Sequence, residues 1–164
     1  FTESVRCELF HDRSHVRISM VQLPALNTPQ FHWVKTSLKN HPQPVPPIYQ
    51  PDVAARAIVW VADNYRREVS VAPSTSAAIL GDKLASGLLD RYLGSSGHDS
   101  QQSDRPIEAG RKDNLWESVD VDLGAHGEFD DRAHDDTLHW RWTTNRRWAL
   151  PALIAAALLV RKAK

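Results

Sequence analysis

Val16-Arg17-Ile18-Ser19-Met20-Val21-Gln22-Leu23-Pro24-Ala25-Leu26-Asn27-Thr28-Pro29 is the stretch that decides the fold. After Arg17 it is β-branched and almost wholly apolar, which suits a strand covered on both faces in a parallel sheet. Pro24 and Pro29 end it, because proline lacks the backbone donor that a ladder needs. In open α/β sheets ligands lie outside the carboxyl ends of the strands, so the Leu-Pro-Ala-Leu-Asn-Thr-Pro loop occupies the position where a cofactor is met. Upstream, Phe1, Val5 and Leu9 recur every four positions beside Cys7 and Phe10, predicting an amphipathic helix over 1–12 that docks on a larger body. The chain opens on Phe1 rather than Met, already inside that helical pattern and with no signal-peptide features, and reads as a truncated beginning.

Downstream, Pro42, Pro44, Pro46, Pro47 and Pro51 crowd one segment, which must be a loop. Pro51 fits a first helical position, and Val53, Ala54, Ala57, Ile58, Val61 and Ala62 form an apolar stripe through Tyr65, the clearest helix in the chain. Residues 68–72 predict a short strand. Pro73 and a Ser/Thr cluster then open a helix carrying Ile79, Leu80, Leu84, Leu88 and Leu89, which Gly94 is expected to stop. The alternation is α/β, although two strands do not make a sheet. Residues 95–136 lack sustained periodicity and are rich in Ser, Asp, Gly and His. They predict a polar, weakly ordered tail lying over the surface through Leu115, Trp116 and Phe129. No repeat of fixed period is present, so a solenoid or propeller is not supported.

The 164 residues suffice for one compact domain, and 20 basic against 20 acidic residues leave no uniform field for a nucleic-acid backbone. The expectation is no nucleic-acid partner. A single cysteine, Cys7, excludes an internal disulfide framework and a cysteine-based zinc cluster, and is consistent with a reducing, cytoplasmic setting. The neutrality is an average. Residues 138–164 carry six Lys and Arg and no acid, leaving 14 bases against 20 acids in the remainder.

Three stretches, Phe-Thr-Glu-Ser-Val-Arg-Cys-Glu-Leu at 1–9, Val-Arg-Ile-Ser-Met-Val at 16–21 and Ala-Leu-Asn-Thr-Pro at 25–29, resemble the C-terminal portion of the short-chain dehydrogenase/reductase family. The resemblance implies the C-terminal half of a Rossmann-type parallel sheet with flanking helices over 1–95. Residues 96–137 follow as the irregular tail and 138–164 as a basic, Trp-flanked apolar helix. It further implies an NAD- or NADP-dependent oxidoreductase passing hydride between nicotinamide and a carbonyl or alcohol substrate. In that reading Leu26 contacts the nicotinamide carboxamide or the cofactor phosphates through its backbone, and Thr28 through its hydroxyl. Residues 29–50 become the substrate loop, with Phe31, Trp33 and Tyr49 as candidates to line the pocket or, more simply, to pack that loop onto the body. The family's usual Pro-Gly before this point reads Leu23-Pro24 here.

Two of the chemistry's requirements are not in this sequence. No Gly-rich turn joins a strand to a helix to receive a pyrophosphate, since Gly94-Ser95-Ser96-Gly97 follows a helix. No Tyr-x-x-x-Lys occurs either: Tyr49, Tyr65 and Tyr92 are followed four residues on by Val53, Val69 and Ser96. Hydride transfer then has no proton path within this chain, which alone is expected to be inactive and to supply no catalytic residue. His126, His134 and His139 among Asp and Glu residues match neither the helical zinc signature nor a finger, so a solvated, charge-mixed tail is preferred and no metal is expected. A serine hydrolase lacks its Gly-x-Ser-x-Gly elbow.

Residues 148–160 form a 13-residue apolar run interrupted by Pro151. At 1.5 Å per residue it reaches about 20 Å against a hydrocarbon core near 30 Å, too short to cross. Flanking Arg and Trp suit interfacial insertion, and the equal alternative is a terminal helix packed on the domain or on a partner subunit. Membrane association and homo-oligomerisation through this end therefore stay open. The competing class for the whole chain is a non-catalytic interaction or membrane-tethered module.

Overall fold

A computed structural model describes residues 1–148 and 151. The chain is mixed α/β, with parallel strand pairs flanked by helices. The apolar run predicted over 149–160 and the basic end that follows it lie, apart from Pro151, outside the described residues. Among the described residues no helix is long and apolar enough to cross a membrane.

The first helix, α1 (Thr2–His11), buries a charge where an apolar stripe was predicted, with Val5 and Leu9 of that stripe only half-buried. Phe1 and Phe10 are exposed, while Arg6 is its buried residue. The Arg6 guanidinium pairs with Glu3 and donates to the carbonyls of Ile18 and Arg67, each at 3.3 Å, so it ties the helix to the entrances of two strands. Those strands, β1 (Met20–Gln22) and β5 (Glu68–Ser70), run parallel with Val21 opposite Val69. β1 is half-buried rather than covered on both faces, and β5 is its one strand neighbour among the described residues.

At Leu23-Pro24 the chain changes partners. Proline cannot donate to the ladder, and β2 (Ala25–Leu26) leaves β5 to join β4 (Ile48–Tyr49) in a second parallel pair. A one-turn helix α2 (Gln30–Trp33) follows, then β3 (Asn40–Pro42). Pro51 opens α3 (Pro51–Asp63) as predicted, with Val53, Ala54, Ala57 and Val61 buried and Ile58 turned outward. These residues, with Val69, Val71 and the buried Trp140, form the core.

The second long helix, α4 (Pro73–Ser100), kinks at Ala85 and runs past Gly94. Gly94 does not adopt the positive φ of a C-cap glycine; the Oγ atoms of Ser95 and Ser96 both donate to the Tyr92 carbonyl at 2.8 Å within the continuing helix. None of its residues is buried, and Leu84 and Leu88 of the predicted stripe are exposed.

Beyond α4 the polar segment pairs at two places. β6 (Gln102–Pro106) lies antiparallel to β3, and β7 (Ala133–His134) adds to β4 in parallel register, Tyr49 opposite His134. The second sheet therefore has the order β2-β4-β7, with its outer strand supplied by the tail. Residues 138–148 are helical and seat Trp140 edge-on against Trp60 of α3 at 5.4 Å.

Candidate functional site

β2 and β4 end side by side, and the residue that follows β2 is Asn27, which is 0% exposed. Its backbone N–H donates to the Tyr49 carbonyl at 2.8 Å, and its carbonyl accepts from Gly127 N–H at 3.0 Å. Its side-chain Oδ1 accepts from Phe129 N–H at 3.0 Å, while Nδ2 donates to Gln50 Oε1 at 3.1 Å and Asp130 Oδ1 at 2.7 Å. A buried amide must have its donors and acceptors met, and here the tail meets most of them.

Gln50, the N-cap residue of α3, is the second buried amide of this cluster. Its Nε2 donates to the same Asp130 Oδ1 at 2.8 Å, and its backbone N–H donates to the His134 carbonyl at 3.0 Å. Its Oε1 also lies 3.0 Å from His126 Nδ1, which must donate because an amide oxygen only accepts. His126 Nε2 is 3.1 Å from Asp52 Oδ2, so both ring nitrogens face acceptors. Residues 126–130 thus lie across the carboxyl ends of β2 and β4, beside the Leu26-Asn27-Thr28 loop.

Gly127 makes the closest approach. A Cβ there would stand 2.6 Å from both Asn27 Oδ1 and the Thr28 carbonyl oxygen, so no larger residue fits without moving the loop. Two residues on, the buried Phe129 ring meets Phe31 of α2 edge-on at 5.7 Å, with the Arg132 guanidinium 5.2 Å from the Phe129 ring centroid.

The far side of α2 is held by an earlier part of the tail. Arg111 donates to the carbonyls of Phe31 at 2.7 Å and Val34 at 2.9 Å, satisfying oxygens that a helix end leaves without intrahelical partners. Asn114 N–H donates to the Trp33 carbonyl, and Lys35 bridges Asp113 at 2.9 Å, which holds the Asp113 carboxyl below its usual range. Glu128 pairs with Arg105 at 2.6 Å and faces His41 Nδ1 at 3.4 Å. His41 Nδ1 also lies 3.0 Å from the Pro42 carbonyl, and burial pushes its pKa down against the opposing pull of Glu128.

The five residues singled out in the sequence fall into two groups. Leu26 and Thr28 flank Asn27 on the loop; Leu26 packs against the core, and the Thr28 side chain is half-buried with no hydrogen bond to its hydroxyl among the described residues. Phe31 and Trp33 sit half-buried on α2, next to the same loop. Tyr49 is buried in the core, with its ring 5.4 Å from that of His134. Sequence reading missed Asn27, Gln50, Arg111, Gly127 and Asp130. The available signal was an Asn at a strand's carboxyl end, which when buried demands partners, but those partners lie far along the chain.

The three tail histidines go to three places: His126 to Gln50 and Asp52, His134 to Tyr49, and His139 to Ser70 Oγ at 3.2 Å. Among the described residues no group of three or more His, Cys, Asp or Glu is arranged to hold a metal ion.

These features define a mixed α/β chain whose parallel strands deliver a short, tightly held loop to one edge of the body. The chain is similar to a protein named uncharacterized oxidoreductase YxnA from Bacillus subtilis (strain 168), with 22% identity over 160 residues. The alignment covers 97% of this chain and 44% of that protein, so the chain spans less than half the length of its relative. No family model and no solved structure matches the chain.

Proposed function

We propose that this chain is the C-terminal portion of an NAD- or NADP-dependent short-chain dehydrogenase/reductase acting on a small carbonyl or alcohol substrate. The observation that carries the reading is the Leu26-Asn27-Thr28 loop at the carboxyl ends of parallel β2 and β4, with the Thr28 hydroxyl uncommitted among the described residues. Similarity along nearly the whole chain to a protein named an oxidoreductase supports it.

In this reading the loop residues would receive one end of a nicotinamide nucleotide. The loop offers the Leu26 backbone, whose carbonyl already accepts from Thr28 N–H at 3.1 Å, and the Thr28 hydroxyl, and the hydrogen-bonded Asn27 lies between them. When bound, the nicotinamide supplies hydride to a carbonyl carbon, and a proton on the oxygen completes the alcohol. In this reading Phe31 and Trp33, half-buried on α2 beside the loop, would contribute an apolar wall to the substrate site. The proton donor and the pyrophosphate-binding turn are assigned to the part of the parent protein that this chain does not contain.

The test is turnover by the full-length parent with NADH or NADPH and a panel of aldehydes and ketones, followed by nicotinamide absorbance and product analysis. The reading expects one alcohol formed for each nucleotide oxidised, and no turnover by residues 1–164 alone. Failure of the parent to oxidise either nucleotide with any carbonyl, and to reduce either oxidised nucleotide with any alcohol, would overturn it.

A further inference from the structure

We propose that the tail segment 126–130 is a positioning element for the nicotinamide end of the bound cofactor, acting through Asn27 on the residues either side of it. The inference rests on the oxidoreductase reading above and extends it to residues outside the family resemblance.

Three observations converge on the loop. Asn27 lies between the two residues that would touch the cofactor, and its carbonyl, Oδ1 and one amide hydrogen are all engaged by Gly127, Phe129 and Asp130. Asp130 Oδ1 accepts from both Asn27 Nδ2 and Gln50 Nε2, so one carboxylate oxygen couples the end of β2 to the start of α3. Gly127 approaches so closely that a Cβ would push directly on the Thr28 carbonyl. The tail therefore lies close against the backbone of the residue whose hydroxyl would hold the cofactor, with no room for a Cβ between them, while no described residue engages that hydroxyl. A segment serving only to cover apolar surface would not need a glycine at this contact or a buried amide beneath it.

The geometry separates positioning from general stability. Gly127→Ala moves Thr28 or the tail, because the neighbouring atoms are backbone and a short amide rather than the end of a flexible side chain. Asp130→Asn keeps an Oδ1 that can accept from both amides, whereas Asp130→Leu removes that shared acceptor and leaves Asn27 Nδ2 with Gln50 Oε1 alone. The Asp130 side chain is 67% exposed, so its replacement spares the apolar core.

The experiment measures the NADH and NADPH dissociation constants of the full-length parent by nicotinamide fluorescence, for the parent sequence and these three variants. Thermal midpoints of the nucleotide-free proteins and KM and kcat for a turned-over carbonyl are measured beside them. Gly127→Ala and Asp130→Leu are expected to weaken nucleotide binding by roughly ten- to hundredfold, the scale on which small misplacements act. Asp130→Asn should remain within about threefold of the parent. Wild-type dissociation constants in the folded Gly127→Ala and Asp130→Leu proteins, whatever their thermal midpoints, overturn the inference and leave the oxidoreductase reading standing. If Gly127→Ala does not fold, the two Asp130 variants decide alone. A parent that binds neither nucleotide removes both proposals.

Discussion

Phe129 meets Phe31 edge-on at 5.7 Å, although one belongs to the polar tail and the other to the one-turn helix after the Leu26-Asn27-Thr28 loop. Such aromatic pairs contribute beyond simple burial. Here the pair makes the tail part of the body: the ring that the tail buries is packed on the helix that carries two candidate substrate-wall residues.

Phe129→Ala should therefore destabilise the protein by about 3–5 kcal/mol, the range for emptying a buried aromatic site, and Phe129→Leu by about 1 kcal/mol. Urea denaturation of the protein measures both. A loss below about 1 kcal/mol for the alanine variant contradicts the burial described here.

Arg111 holds two carbonyls at the end of α2, and Arg111→Ala leaves both without that donor. We expect faster amide hydrogen exchange confined to residues 30–36, with a global loss of about 1–3 kcal/mol. Lysine at this position recovers only part of the protection, since a single ammonium does not reproduce the planar fork that reaches both oxygens. Unchanged exchange over 30–36 would show that the guanidinium is not what secures this turn.

His41 and Asp113 both contribute to the acid limb of stability, beside Glu3 and Asp136, whose carboxyls are held low chiefly by hydrogen bonds from Arg6 and Arg141. Burial holds His41 below its ordinary 6.5, beside Glu128, Arg105, Arg111 and the Pro42 carbonyl. The unfolded chain binds that proton first as pH falls, so His41 contributes stability above pH 6.5 that is lost as pH drops toward its lowered folded value. Asp113 is held below its ordinary 3.8 chiefly by the Lys35 hydrogen bond, so its contribution is intact above that value and disappears as the carboxylate protonates further down. His41→Asn should flatten the upper part of this slope and Lys35→Met the lower part. Denaturation midpoints followed across the acid range would contradict the assignment if each variant retained the parent's slope.

Trp140 anchors the helical residues 138–148 on Trp60 of α3, and His139 reaches Ser70 at the end of β5. Trp140→Ala should cost about 3–5 kcal/mol, while His139→Ala should cost about 1 kcal/mol. Trp142, which is exposed, serves as the control. Its replacement by alanine should leave stability within about 0.5 kcal/mol of the parent.

Those parts of the fold that are local in sequence were legible in it. Pro51 and the stripe beginning Val53, Ala54, Ala57 predict α3, and the β-branched runs around Met20 and Val69 predict two strands that the structure pairs in parallel. Where charge or distant pairing decides, the pattern misleads or is silent. Arg6 docks α1 because strand-entrance carbonyls need donors, which an apolar stripe cannot reveal. Gly94 stays helical where the pattern expected a stop. β6 reads Gln-Ser-Asp-Arg-Pro and β7 only Ala-His; each pairs because β3 or β4 presents an open edge, not because of its own propensity. The candidate site divides the same way. Leu26 and Thr28 were named only through the family resemblance of residues 25–29, whereas the contacts of Asn27 come from a tail whose composition announces only solvation.

The central claim is that the Leu26-Asn27-Thr28 loop receives the nicotinamide end of a dinucleotide, and a crystal structure of the full-length parent bound to NAD or NADP tests it most directly. The account predicts the nicotinamide carboxamide or a cofactor phosphate on the Leu26 backbone and the Thr28 hydroxyl, with Gly127 still against the Thr28 carbonyl and Asp130 still bridging Asn27 and Gln50. A dinucleotide bound away from this loop, or a loop closed over by the tail with the nucleotide held elsewhere, would contradict it.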